Sequence, residues 1–265
     1  MIALLEHQAD SPAGLLGDWL AARHLAFTVV RPDDECPDPR DVMAFISLGC
    51  SSSAYAEEPE WIAAEVALLA AAVGHGTPVL GLCFGAQTLA LGLGGRVARA
   101  ARPEVGWVWP RTRESVLSGP WGAWHFDAVT PPPRAAVLAE TDAAVQAFAL
   151  GPHLGVQFHP ELTEQMAREW AMAQPDALHP APANAFVEQI RQRADALRRR
   201  AFALCVWWWL RCGAGTNGPT AVDAWSEIDP EARLDHRHLK TVASSRLALP
   251  RVAPAWTVTK GFQCR

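Results

Sequence analysis

The sequence predicts an α/β fold with a mostly parallel central sheet and helices on both faces. Through the first half of the chain, short apolar runs of strand length alternate with segments of helical periodicity. Continuously apolar runs fit strands covered on both faces, and strand–helix alternation calls for parallel crossovers. In such sheets a ligand site lies beyond the carboxyl ends of the strands.

Residues 2–6 are the first such run. Residues 14–24 then show helical spacing through Leu15, Leu16, Trp19, Leu20 and Ala22, and Phe27-Thr28-Val29-Val30 is a β-branched strand. An acidic, proline-bearing loop over 32–41 leads to a second buried strand at 42–46. Trp61, Ile62, Glu65, Val66, Leu69, Ala72 and Val73 repeat at i, i+3 and i+4, a helix that ends at Gly74. Residues 78–82 form the next strand, and a helix begins almost at once after Cys83. Residues 66–95 contain no Asp, Glu, Lys or Arg, but Gly74-His75-Gly76-Thr77-Pro78 interrupts them. They therefore read as helix end, turn, strand, turn and helix, and no membrane span is expected.

From Gly95 the segments are shorter and rich in Trp and Pro, including 105–110 and 130–133. Residues 145–149 and 154–158 read as a strand pair around Gly151-Pro152, and 161–172 and 184–200 as helices. Residues 1–200 carry 15 Arg against 23 acidic side chains (−8), whereas 201–265 carry 8 basic against 5 acidic (+3), with both lysines of the chain and the run Trp207-Trp208-Trp209. We therefore expect a domain over 1–178, a C-terminal helix over 179–200, and a compositionally foreign extension over 201–265, poorly ordered or non-native. Its apolar stretch 201–210 is too short to span a bilayer but suits a membrane surface or a partner.

The chain has 265 residues, is 50% hydrophobic and 19% charged, and has a formal net charge of −5. This composition excludes disorder throughout, and its sign excludes a nucleic-acid-coating protein. The six cysteines make no C-x-x-C pair, so a zinc knuckle is not suggested. The N-terminus lacks the basic and long apolar regions of a secretory signal, and a cytoplasmic location is expected.

Gly81-Leu82-Cys83-Phe84-Gly85-Ala86-Gln87 puts a cysteine between a buried strand and a helix. Glycines at −2 and +2 give room for a sharp strand-to-helix turn that lifts the sulfur above the sheet edge, against a helix N-terminus that favours thiolate. Cys83 is the expected nucleophile. Two histidines have a carboxylate two residues on, His125-Phe126-Asp127 and His159-Pro160-Glu161. Either acid could hold its imidazole as the base of a Cys-His pair, and the residues alone do not choose between them. The loop Ser47-Leu48-Gly49-Cys50-Ser51 follows a strand end, and its backbone N–H groups are placed to join that of Phe84 in an oxyanion hole. Cys50 and Cys83 would then approach within disulfide reach, and oxidation would close the site.

The elbow 81–87 together with Val156-Gln157-Phe158-His159-Pro160-Glu161 resembles the class I, triad-type glutamine amidotransferases, in particular domains similar to the amidotransferase half of GMP synthetase. The similarity runs from Ile2 to about Met172 and includes Glu104-Val105-Gly106-Trp107. It implies the flavodoxin-like fold of that family and a triad of Cys83, His159 and Glu161. It further implies oxyanion donors at the N–H of Cys50 and Phe84, and glutamine contacts from Gly49, Gln87, His125 and Phe126. The family's Gly-Gly-Pro oxyanion loop reads Gly49-Cys50-Ser51 here, and its His-Gly-Asp reads His125-Phe126-Asp127. No metal or cofactor is implied. The implied reaction is glutamine hydrolysis through a thioester, with ammonia passed to a partner synthetase. A stand-alone hydrolase of γ-glutamyl amides or peptides, and a degenerate fold that only binds a partner, are the alternatives.

Overall fold

The computed structural model describes residues 1–177 and 183–213. An eight-stranded sheet runs through the centre of the molecule. Its strands are β1 (Ile2–Leu5), β2 (Phe27–Val30), β3 (Ala44–Ser47), β4 (Val79–Leu82), β6 (Arg111–Thr112), β8 (Ala136–Glu140), β9 (Val145–Leu150) and β10 (His153–Val156). The spatial order is β2-β1-β3-β4-β10-β9-β8-β6. The first five of these are parallel, and β9, β8 and β6 extend that edge antiparallel. Two long strands, β5 (Arg96–Val108) and β7 (Trp121–Thr130), pair antiparallel as a separate ribbon. The sequence signalled this stretch only as short Trp- and Pro-rich segments.

The continuous apolar runs are explained by two-sided cover. Ile2, Leu4, Ile46, Leu80, Leu82 and Leu154 face α1 (Gly14–Ala22) and α6 (Ala194–Arg211). Ala3, Leu5, Phe45 and Val79 face α2 (Trp61–His75) and α3 (Phe84–Gly92). Successive residues of a strand point to opposite faces, so each strand needs apolar side chains at every position. The charge-free segment 66–95 is α2, a turn at the left-handed Gly76, β4 and α3, as its interrupting glycines and proline indicate. Among the described residues no helix is long and apolar enough to cross a membrane.

Beyond β10, α4 (Glu164–Ala173) and α5 (Ala183–Gln192) pack against the β5–β7 ribbon through Trp170, Phe186 and Ile190, with Trp107 and Trp124 opposite. The helix expected over 184–200 is two helices, interrupted at Arg193 between α5 and α6. The break expected after Arg200 falls inside α6, which carries the chain to Arg211. Its stretch 201–210 is not left free for a membrane or a partner: Leu204, Cys205 and Trp208 are fully buried against the sheet. The face beside α1 offers apolar surface that α6 covers, and Trp209 meets Trp19 edge-on at 6.1 Å. The rest of the expected extension, 214–265, lies outside the described residues.

Candidate active site

Register aligns the ends of four parallel strands. Leu5 is opposite Ser47, Ser47 opposite Gly81, and Gly81 opposite Gly155. Two residues further along each chain stand His7, Gly49, Cys83 and Gln157, a row at the carboxyl edge of the sheet.

Cys83 sits between β4 and α3 with φ 50° and ψ −102°. A non-glycine residue held at positive φ is strained by about 1–3 kcal/mol and persists only where its surroundings enforce it. Here they do. The Cys83 N–H donates to the Val156 carbonyl at 2.8 Å, and that of Gly85 to the Leu48 carbonyl at 3.1 Å. A methyl group at Gly81 would strike the backbone of Gly85 and Ala86, and one at Gly85 the backbone of Ser47. The two glycines are the clearance for the elbow.

His159 follows β10, its N–H donating to the Gly122 carbonyl at 2.8 Å, and Glu161 lies in the turn just before α4. His159 Nδ1 is 2.7 Å from Glu161 Oε1, and both side chains are buried. The opposite nitrogen, Nε2, is buried with no hydrogen-bond partner among the described residues. Burial opposes a charge on this ring, but the Glu161 carboxylate and Cys83 outweigh it and raise the His159 pKa to about 10. Trp170 closes over the imidazole edge-on, ring centres 4.7 Å apart.

These groups open into a cleft of about 270 Å³, walled by Cys50, Gln87, Trp124, Phe126 and Trp170. Gly49 packs on the pair: a methyl group there would lie 3.1 Å from His159 Cε1 and 4.0 Å from Cys83 Cβ. Cys50 also faces the cleft. Its sulfur accepts from the Ser52 N–H at 3.4 Å, burial pushes its pKa up, and Cys50 and Cys83 are both free thiols. Phe84 opens α3, where the first N–H groups have no partner within the helix.

Gln87 reaches the site indirectly. Its amide donates to Gln157 Oε1 at 3.4 Å, and Gln157 Nε2 donates to Cys83 Sγ at 3.5 Å. His125 is on β7 of the ribbon and lines the same cleft as His159. Its ring is engaged by the Asp127 carbonyl at 3.0 Å and by Glu104 at 3.3 Å, and is 1% exposed. Phe126 lies beneath the Arg99 guanidinium, 5.0 Å from the ring centre. The Asp127 carboxylate does not orient a base; it accepts from the hydroxyls of Ser53 at 2.8 Å and Tyr55 at 3.3 Å. Of the two His-x-acid pairs, only His159 and Glu161 meet side chain to side chain beside a cysteine.

Sequence reasoning passed over His7, Gln8, Glu65 and Gln157. Glu65 did leave a signal, a carboxylate in the apolar repeat of α2. In the structure it is buried and accepts from Ser47 at 2.8 Å and Thr88 at 2.9 Å, with His7 2.5 Å away.

A parallel sheet with a strained cysteine at a strand–helix elbow, facing a buried imidazole–carboxylate pair, defines a class of proteins equipped for cysteine-centred acyl chemistry. Residues 20–172 match the family "Glutamine amidotransferase class-I", and the chain belongs to it. Solved structures agree. A glutamine amidotransferase from Methylobacillus flagellatus superposes with a TM-score of 0.72 at 29% identity, covering 79% of this chain and 94% of that one. A glutamine amidotransferase from Thermotoga maritima, at 22% identity and TM-score 0.71, shares the fold. Among relatives in sequence, a GMP synthase of Thermus thermophilus is 46% identical over 97 residues, 33% of this chain and 19% of that protein. A GMP synthase of Thermomicrobium roseum is 34% identical over 161 residues, 55% of this chain and 25% of that protein. A protein of Ignicoccus hospitalis named as a glutamine-hydrolysing GMP synthase subunit is 35% identical over 96 residues, 32% of this chain and 51% of that protein. The matched region thus spans about half of the Ignicoccus protein and a quarter or less of the two longer synthases.

Proposed function

We propose that this class I glutamine amidotransferase hydrolyses the side-chain amide of glutamine at Cys83 and delivers the ammonia to a separate synthetase. The observation that carries the reading is the juxtaposition of Cys83, strained at its elbow, with a His159 ring whose far nitrogen is held by Glu161. With the shared proton held on the His159 ring, Cys83 attacks the carboxamide carbon as the thiolate. The resulting oxyanion rests on the N–H groups of Cys50 and Phe84. The imidazolium returns the proton to the departing nitrogen, ammonia leaves, and a γ-glutamyl thioester remains. Water, deprotonated by the now neutral His159, attacks the thioester; glutamate departs and the thiolate is restored. Glu161 holds the tautomer and supports the charged ring through both halves. Gln87, Phe126 and His125 line the cleft, His125 with its ring already engaged, and Gly49 packs against His159 and Cys83.

The relatives support the partner. A chain similar to a protein named as one component of GMP synthase is read as one component of a divided enzyme. A cleft of about 270 Å³ with both polar and aromatic lining suits a single amino acid amide. C83A is expected to abolish glutamine hydrolysis while far-UV circular dichroism and unfolding temperature stay those of the parent. Turnover surviving in that variant overturns the reading. Strong unassisted turnover of γ-glutamyl amines, with little on glutamine, would favour a stand-alone γ-glutamyl hydrolase on the same residues.

A further inference from the structure

We propose that His7 is a positioning residue for the oxyanion site: braced by Glu65, it holds the Gly49 carbonyl and thereby aims the Cys50 N–H into the cleft. The inference rests on the reading that the Cys50 N–H serves the oxyanion.

His7 Nδ1 lies 3.3 Å from the Gly49 carbonyl oxygen and Nε2 lies 2.5 Å from Glu65 Oε2. A carbonyl only accepts, so Nδ1 carries a proton. The other Glu65 oxygen takes two hydroxyl donors, from Ser47 and Thr88, an environment that favours the carboxylate. Nε2 therefore donates as well, and the ring is an imidazolium with both nitrogens committed. Burial opposes the charges on both partners, but their mutual attraction outweighs it, raising the His7 pKa and lowering that of Glu65.

The Gly49–Cys50 peptide is trans, so its carbonyl and N–H point in opposite directions. Fixing the carbonyl on His7, behind the loop, fixes the N–H on the opposite side. That side belongs to the site: Gly49 packs against His159 and Cys83, and Cys50 lines the cleft. The next peptide is tied down too, the Ser51 N–H donating to Gln8 Oε1 at 2.8 Å. Two consecutive residues after β1 thus grip the loop on either side of the Cys50 N–H. The His7 ring also stacks on Trp61 at 5.2 Å and meets Phe84 edge-on at 5.0 Å, so it braces the residue that supplies the second donor. A structural role for the buried pair would require only that Glu65 be neutralised. The contact to Gly49 is what ties it to the reaction.

Asparagine and glutamine separate the two roles. The asparagine amide nitrogen falls near the place of Nδ1, and that of glutamine near Nε2. H7Q keeps the Glu65 contact and loses the Gly49 contact; H7N does the reverse. We expect kcat for glutamine to fall at least about tenfold in H7Q, toward the 10²–10³-fold that loss of one oxyanion donor costs, with KM nearly unchanged. H7N should retain the greater activity. Alkylation of Cys83 by iodoacetamide, followed by peptide mass mapping, passes through no oxyanion and should proceed at the parental rate in both. Equal or greater activity in H7Q than in H7N overturns the proposal, as does a loss of alkylation that parallels the loss of kcat. Should H7Q not fold, E65Q decides. A neutral His7 can still donate from Nδ1 there, so less than a tenfold loss supports the proposal and more than a hundredfold loss overturns it. A parent protein without Cys83-dependent glutamine hydrolysis removes the underlying reading, and this one with it.

Discussion

At the residue scale, two opposing influences meet on His159, and Glu161 decides between them. Burial alone would drive the ring neutral; the carboxylate 2.7 Å away, with Cys83 adding to it, raises its pKa to about 10. E161Q tests that balance. The glutamine oxygen can still accept from Nδ1, so the tautomer survives while the charge does not. His159 should then titrate well below 10, because Cys83 alone is left to oppose burial. NMR titration of the ring would follow this shift. With less charge held on the imidazolium, kcat/KM is expected to fall by about a hundredfold or more. A ring that still titrates near 10 in E161Q would mean that Cys83, and not Glu161, sustains its charge.

At the element scale, α6 shows what periodicity conceals. The run Trp207-Trp208-Trp209 is apolar all around and has no polar face to betray a helix. The change in composition after Arg200 therefore looked like an end. In the structure Trp208 is fully buried and donates from Nε1 to the Pro152 carbonyl at 3.1 Å, in the turn between β9 and β10. Truncating it to alanine removes both the packing and that bond, and W208A should lose about 3–5 kcal/mol of stability by urea unfolding. At temperatures where the variant stays folded, KM for glutamine should change little, since α6 lies outside the cleft. By contrast, β1, β3 and β4 were readable in sequence because each is buried on both faces, and α2 because it ends on a glycine cap. The elbow was readable for a related reason, since its glycines mark places where a methyl group would strike backbone. The β5–β7 ribbon was not readable. Burial along β5 is irregular and its register shifts between Arg99 and Glu104, while β7 alternates in burial but puts the polar His125 and Asp127 at buried positions, so neither strand shows an apolar alternation. His7, Gln8 and Glu65 escaped for a third reason. They act across the sheet edge, and sequence spacing carries no information about strand register.

At the scale of the whole molecule, buried histidines give stability a defined pH window. His159 has a folded pKa above its unfolded value, so its contribution is complete below about pH 6.5 and is lost as pH rises toward 10. His7, with a raised pKa, acts in the same direction. His153 acts in the other. It opens β10, is 5% exposed, its Nδ1 has no hydrogen-bond partner, and burial lowers its pKa to about 4. The unfolded chain takes up this proton below about pH 6.5, whereas the folded one resists until about pH 4. The stability this represents is therefore whole above 6.5 and drains away as pH falls through that interval. A gap of about 2.5 pH units corresponds to about 3 kcal/mol once the loss is complete. H153M replaces the ring with a side chain that takes no proton. Urea unfolding at pH 7 and pH 4.5 should show a smaller acid loss in the variant than in the parent, by about 2–3 kcal/mol. Carboxylates that titrate in the same range act equally on both proteins and cancel in the comparison. An identical pH dependence in the two would mean that the His153 ring is protonated in the folded state well above pH 4, and that the start of β10, next to the Pro152 carbonyl that anchors Trp208, admits water.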